Sequence, residues 1–411
     1  MPTTGLPLQI VITEGGAKVG PATFSLKGPK WDSEAPLKID GLKFANGVLS
    51  GSVTFKNGSG HALDGVRFDI VSASEQYKGK DGPATRGQAV AEDSPILFGD
   101  MPKNAEVGGF DFKASGLAWK AETTQITVTA KLSGLTYRRM LFYDHSGSYM
   151  EFDTKGRLLL GSRQQPAIYR VDPDKGTLES ITSVPEWAAR PAVNPVDGTI
   201  CACWSNAHGF TLYTPGGDEK STLLENENVE GMVGWPSWCR YDGKGNLYVN
   251  FGNTISQMAG DKPLYVLKSA GQFEFSGYMY FDVAKDGSLF IGSGSNIFRF
   301  EPGGKNPKKI LQGPDVKLGR IHGVEYIRVD SSNRVWVSET PEGEFHGRIC
   351  VFDTNGKLIW TLGRGGPKRP EEGWIDGQIS DSTTSIAVAP DGRVFIAGHE
   401  QERSVLEFAE F

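Results

Sequence analysis

Residues 318–362 read LGRIHGVEYIRVDSSNRVWVSETPEGEFHGRICVFDTNGKLIWTL. Val324 to Val329 alternates up to a turn, Asp330-Ser-Ser-Asn333, and Arg334 to Glu339 returns as a second apolar run. A polar loop follows. Arg348 to Asp353 and Lys357 to Leu362 then flank another turn at Asn355-Gly356. Short runs rich in Val, Ile, Phe and Trp, bounded by Asp, Asn and Gly, predict two successive hairpins. Four strands in up-and-down order make one blade of a β-propeller.

The first of these turns recurs. It stands in FDTKGRLLLGS at Gly156, NPVDGTICACWS at Gly198, YDGKGNLYVNF at Gly245, VAKDGSLFIGS at Gly287, VDSSNRVWVSE at Asn333 and APDGRVFIAGH at Gly392. The spacings are 42, 47, 42, 46 and 59 residues. Units of about 40–50 residues with four strands each predict a six-bladed propeller. The repeated pattern resembles the NHL-type six-bladed propellers, a superfamily that includes virginiamycin B lyase-like, gluconolactonase/SMP-30-like and peptide-amidating lyase members. The resemblance covers residues 136–411.

Residues 1–133 lack the repeat. Runs such as LQIVITE, VLSGSVTFKN, VRFDIVSAS and TQITVTAKLSG, with Asn46-Gly47 as a tight turn, predict about seven short strands. That pattern suggests an immunoglobulin-like sandwich. Glu75 to Met101, polar and bearing Gly and Pro, reads as a long loop. The expected organisation is therefore all-β, with a sandwich at 1–133 and a propeller at 134–411. The last blade holds only three strands of its own, so Tyr137 to Tyr143 is expected to supply its fourth and close the ring.

The charge of −6, with no basic run, argues against nucleic-acid partners. No apolar run reaches the roughly 18 residues of a membrane span, so no membrane insertion is expected. If Met1 is the native start the chain belongs in the cytoplasm. If a leader has been removed it belongs in the periplasm or outside the cell. None of the four cysteines forms a Cys-x-x-Cys pair. Cys201 and Cys203 share one face of a strand and read as core thiols. A disulfide from Cys239 to one of them is the alternative if the second and third blades adjoin.

Propeller geometry puts the Asp-Gly turns on the lower face and the inter-blade connections on the upper one. Every propeller histidine then maps to the upper face: His145, His208, His322, His346 and His399. So do Glu339, Glu342, Glu344, Glu400 and Arg403, and the aromatics Trp187, Trp204, Trp235, Trp238, Tyr278, Tyr280 and Trp374. Arg190 and Asn250 stand at strand ends on the same side. His322, His399 and Glu339 are the candidate catalytic residues, since imidazoles beside carboxylates can move protons or hold a metal. His145, Arg190, Trp204, Trp238, Tyr278, His346 and Trp374 are the candidate ligand-binding set. The longest insertion, Gly363 to Asp381, reaches the same face. The lyase-like relatives imply one divalent metal ion here, with an imidazole as base. The gluconolactonase pattern of an acidic ligand at the first blade is not matched, because that blade starts at His145-Ser-Gly.

Two functions fit these residues. One is a non-enzymatic binding or assembly module that presents the upper face to a protein or a small molecule. The other is a metal-assisted lyase or hydrolase with a His/Glu site above the channel. The expectation falls on the first, because rigid propellers commonly serve as binding surfaces and fold alone does not imply catalysis.

Overall fold

The structure is a computed structural model. It describes residues 6–19, 22–28, 31–58, 63–88, 90–92, 96–101, 106–143, 149–161, 166–184, 190–203, 210–223, 236–252, 254–260, 262–267, 279–311, 323–339, 348–362, 383–398 and 404–410. Every regular element among them is a strand, and no helix is long and apolar enough to cross a membrane. The chain divides into two compact units, the first mainly residues 6–138 and the second mainly residues 139–407.

The first unit carries β1 (Leu6–Thr13), β2 (Gly16–Val19), β3 (Ala22–Gly28), β4 (Trp31–Ala45), β5 (Val48–Lys56), β6 (Leu63–Gly79), β7 (Gly82–Gln88), β8 (Ala91–Glu92), β9 (Ile96–Met101), β10 (Glu106–Ser115) and the long β11 (Thr123–Tyr143). One sheet runs β2-β1-β11-β6, with β7 and β9 both paired to β6. The other runs β3-β4-β5-β10-β8. Period-two alternation sends Ile10, Ile12, Val53, Phe55, Phe68, Phe112, Val128 and Leu132 from both sheets into one apolar core. Asn46 and Gly47 adopt φ of 51° and 75° in the two-residue turn between β4 and β5. That left-handed pair matches the twist of the strands it joins.

The stretch expected to be a loop, Glu75 to Met101, is instead largely paired. Glu75 to Gly79 ends β6, and Gly79 pairs Gly82 across a two-residue turn into β7. The β6–β7 hairpin was hidden because polar side chains hold it together. Glu75 is fully buried and takes Nε and Nη2 of Arg86 at 2.7 and 2.9 Å, Nε2 of Gln88 at 2.8 Å, and the hydroxyl of Thr123. A buried charge with this many donors behaves as a core residue, which a hydrophobic pattern does not register.

The second unit is a six-bladed propeller. Blade one is β12 (Tyr149–Phe152), β13 (Leu158–Gly161), β14 (Ala167–Asp172) and β15 (Thr177–Ser183). Blade two is β16 (Arg190–Val193), β17 (Ile200–Cys203), β18 (Phe210–Tyr213) and β19 (Glu219–Leu223). Blade three is β20 (Pro236–Tyr241), β21 (Leu247–Phe251), β22 (Thr254–Ala259) and β23 (Lys262–Leu267). Blade four is β24 (Tyr280–Val283), β25 (Leu289–Ser293), β26 (Asn296–Glu301) and β27 (Lys305–Leu311). Blade five is β28 (Val324–Val329), β29 (Val335–Glu339), β30 (Ile349–Phe352) and β31 (Leu358–Leu362). The sixth sheet holds β32 (Thr383–Val388), β33 (Arg393–Gly398) and β34 (Ser404–Glu410), and β11 is the next strand beside β34. Arg139 of β11 binds Glu407 of β34 at 2.7 Å. The innermost strands neighbour one another in the order β12, β16, β20, β24, β28, β32 and back to β12, so they form a closed ring.

Each inner hairpin turns on the marker found in the sequence. Asp153, Asp242 and Asp330 each place one carboxylate oxygen against two backbone amides of their own turn, at 2.8–2.9 Å. The left-handed residue is Gly156, Gly245 and Asn333 respectively. Asn is the side chain that replaces Gly there at least cost. In the variants with Asp one residue before the Gly, Asp197, Asp286 and Asp391 bond the amides of Thr199, Ser288 and Arg393.

Candidate functional site

The inner ring is built in two layers. Counting back from the first residue of each inner turn, the position four earlier is Tyr149, Arg190, Trp238, Tyr280, Tyr326 and Ser385. The position two earlier is Glu151, Ala192, Arg240, Asp282, Arg328 and Ala387. Four of the six inner strands thus carry aromatic–x–charged, and the strands bring those residues together.

The charged layer lies nearer the turns. Arg328 binds both oxygens of Glu151, at 2.6 and 2.5 Å, and lies 3.7 Å from Asp282. Arg240 reaches Asp282 at 3.1 Å and donates to the Tyr326 hydroxyl at 3.1 Å. The second Asp282 oxygen accepts the amide of Val329 at 2.6 Å. Two carboxylates and two guanidiniums neutralise one another. Burial would raise the Glu151 carboxyl, but the charge and hydrogen bonds of Arg328, with Arg240 beyond, hold it below the ordinary carboxylate range. Burial would lower both guanidiniums, but Glu151 and Asp282 hold Arg328 up, and Tyr326 followed by Asp282 and Glu151 holds Arg240 up.

Above this plug sits the aromatic layer. Trp238 packs edge-on to Tyr149 at 5.2 Å, to Tyr326 at 5.5 Å and to Tyr280 at 6.0 Å. Blade two breaks the layer by placing Arg190 where its neighbours hold an aromatic ring. The Arg190 guanidinium stacks 4.8 Å from the Tyr149 ring and 4.7 Å from Trp238. It donates to the Ser237 carbonyl and, at 3.3 Å, to the Tyr149 hydroxyl. Its Nε is buried and has no hydrogen-bond partner, and no carboxylate among the described residues pairs with it. A guanidinium flanked by π faces, with donors to spare, is suited to a planar anion.

The residues expected at the site fall into two groups. His145, Trp204, Tyr278, His322, His346, Trp374 and His399 lie outside the described residues, as do His208, Trp187, Trp235, Glu342, Glu344, Glu400 and Arg403. Among those described, Arg190 and Trp238 come together in the aromatic layer. Trp238 is 5% exposed, a wall against its ring neighbours rather than an open platform. Glu339 is 4% exposed and bound by Arg348 at 2.7 and 3.1 Å, where it ties β29 to β30. Asn250 is fully buried and spends its amide on the carbonyls of Gly252 and Thr254, at 3.0 and 3.2 Å. Sequence reasoning missed Glu151, Arg240, Asp282 and Arg328, although the aromatic–x–charged spacing before each turn was there to find.

The divalent ion that the resemblance implied does not fit the described ring. Its upper layer offers rings and a cation, and the two carboxylates below are already paired with arginines. The four cysteines are free and buried, so the disulfide alternative is not formed.

No protein-family model matches the chain, and no curated protein matches it. Solved structures do. A structural genomics protein of unknown function from Bacteroides thetaiotaomicron aligns with a TM-score of 0.50 at 13% identity, over 92% of this chain and 98% of its own. A gluconolactonase from Xanthomonas campestris aligns at 0.47 and 13%, over 68% of this chain and 90% of its own. A streptogramin B lyase aligns at 0.46 and 12%, over 68% and 98%. Identities this low show the propeller fold and carry no activity across. The expectation of a non-enzymatic binding or assembly module is corrected to this extent: solved structures that share the fold bear enzyme names, a gluconolactonase and a lyase.

Proposed function

We propose that the protein is a hydrolase or lyase acting on a small anionic substrate at the upper mouth of the propeller channel. Arg190 carries this reading. It stands at an aromatic position of the inner ring, is framed by Tyr149 and Trp238, and has a buried donor without a partner. In a partly desolvated mouth, a guanidinium so held would fix a substrate carboxylate. It would equally stabilise the negative charge that develops on oxygen during ester opening or β-elimination. The ion-pair plug beneath would keep the mouth blind, so substrate would enter and leave from one side. In sequence, His322 stands two residues before β28 and His399 directly follows β33. An imidazole at either sequence position is the candidate proton carrier, and the enzyme names of the fold's neighbours agree with such chemistry. The finer resemblances belong to the same proposal: an NHL-type propeller, and an immunoglobulin-like sandwich before it, which the two facing sheets of the first unit support.

A panel of lactones, esters and β-substituted carboxylic acids tests the reading. Hydrolysis is followed by proton release and elimination by new ultraviolet absorbance. The expected result is turnover of at least one anionic member, reduced about 10²–10³-fold in Arg190→Gln. Equal turnover by Arg190→Gln and the native chain would overturn it.

A further inference from the structure

Directly behind Arg190, the second and third blades bring three sulfurs together. Cys201 and Cys203 point the same way from β17, and Cys239 meets them from β20. The three Sγ atoms all lie within 4.8 Å of one another, and all three residues are fully buried. Their surroundings are apolar: Ala192, Phe210, Val249 and Phe251 belong to the same cluster. The Cys239 thiol reaches the carbonyls of Cys201 at 3.4 Å and Arg190 at 3.6 Å, which are long contacts for a weak donor. We propose that this trio is a binding site for a soft monovalent cation, copper(I), held by three sulfurs.

Geometry and chemistry both favour that ion. Three sulfurs about 2.3 Å from a central metal stand about 4.0 Å apart when trigonal, so the cluster needs only a small contraction to close on it. A structural zinc site takes four ligands. No fourth histidine, cysteine or carboxylate joins the trio among the described residues. Soft thiolate donors in a dry pocket suit copper(I) over oxygen-seeking ions. Binding would exchange thiol protons for metal, releasing one proton per thiolate formed, so uptake should weaken as pH falls. No oxidant or reductant takes part, since the ion enters and stays as copper(I). The Arg190 carbonyl lies 3.6 Å from the Cys239 sulfur, so the ion would sit beside the main chain of Arg190.

The test is an anaerobic titration of the reduced full-length protein with copper(I) against a chromogenic copper(I) chelator, followed by X-ray absorption at the copper edge. The expected result is one equivalent retained per chain in a shell of three sulfurs. It should be lost in Cys239→Ser and in Cys203→Ser, and kept in Cys350→Ser, whose thiol lies in blade five. Thermal melting of the apo variants separates lost ligation from lost folding. Where one trio variant misfolds, the other and the sulfur count on the native protein still decide. The proposal falls if the native chain retains no copper(I), if a well-folded trio variant retains it equally, if zinc is taken up while copper(I) is refused, or if intact mass shows a disulfide from Cys239 in its place.

Discussion

At the scale of single residues, buried charges in this protein are settled by their partners. Glu75 is the clearest case. The hydrogen bonds from Arg86 outweigh the burial that opposes ionisation, and with Thr123 and Gln88 they hold its carboxyl at about 2. The folded value lies below that of the unfolded chain, so the unfolded state binds the proton more readily. The stabilisation is therefore full above the ordinary carboxylate range and is lost as pH falls from about 4.5 toward 2. Glu75→Gln should flatten that part of the stability curve, as read by denaturant midpoints at stepped pH. An unchanged acid limb in the variant would contradict the assignment. Such positions are also where sequence reading fails. Glu75, Glu151, Asp282, Arg240 and Arg328 look like surface residues, and only the partner across the sheet or ring reveals them as interior.

At the scale of elements, the legible features were those that act locally. A carboxylate that caps its own turn and a residue that tolerates positive φ stand within four positions of each other, so the inner hairpins could be read directly. Asn355-Gly356, the outer turn of blade five, was legible for the same reason. Its second constraint was not. A side chain on Gly356 would bring its first carbon within 2.0 Å of the Ile310 carbonyl, on the outer strand of blade four. Gly217 in blade two meets Ile181 of blade one in the same way, at 2.1 Å. Gly176 has the same kind of backbone, φ +66°, but open space around it. Gly176→Ala should then cost only the backbone strain, about 1 kcal/mol. Gly356→Ala should cost more, because adjacent outer strands must separate, and chemical denaturation of the pair reads the difference. Equal losses would mean that blades do not bear on one another at these turns.

At the scale of the whole chain, the repeat fixed the number of blades from sequence because six independent turns kept one period. The site was less legible, because it is a property of the ring rather than of any blade. Arg190 stands out only once its register is compared with Tyr149, Trp238, Tyr280 and Tyr326. We propose that β11 closes this ring as the fourth strand of the last blade. Replacing residues 137–143 by a Gly-Ser stretch of equal length should give an aggregating chain or a broad, non-cooperative melt, since the edge of β34 would be left open. A soluble, cooperatively melting product would contradict it. The central claim is that the Arg190 guanidinium itself holds the substrate, and chemical rescue tests it most directly. On the best substrate of the panel, Arg190→Gly should lose most of its kcat/KM and regain a measurable part with added guanidinium ion, but not with the same concentration of ammonium. A variant that melts like the native chain and either keeps full activity or gains nothing from guanidinium would contradict the account.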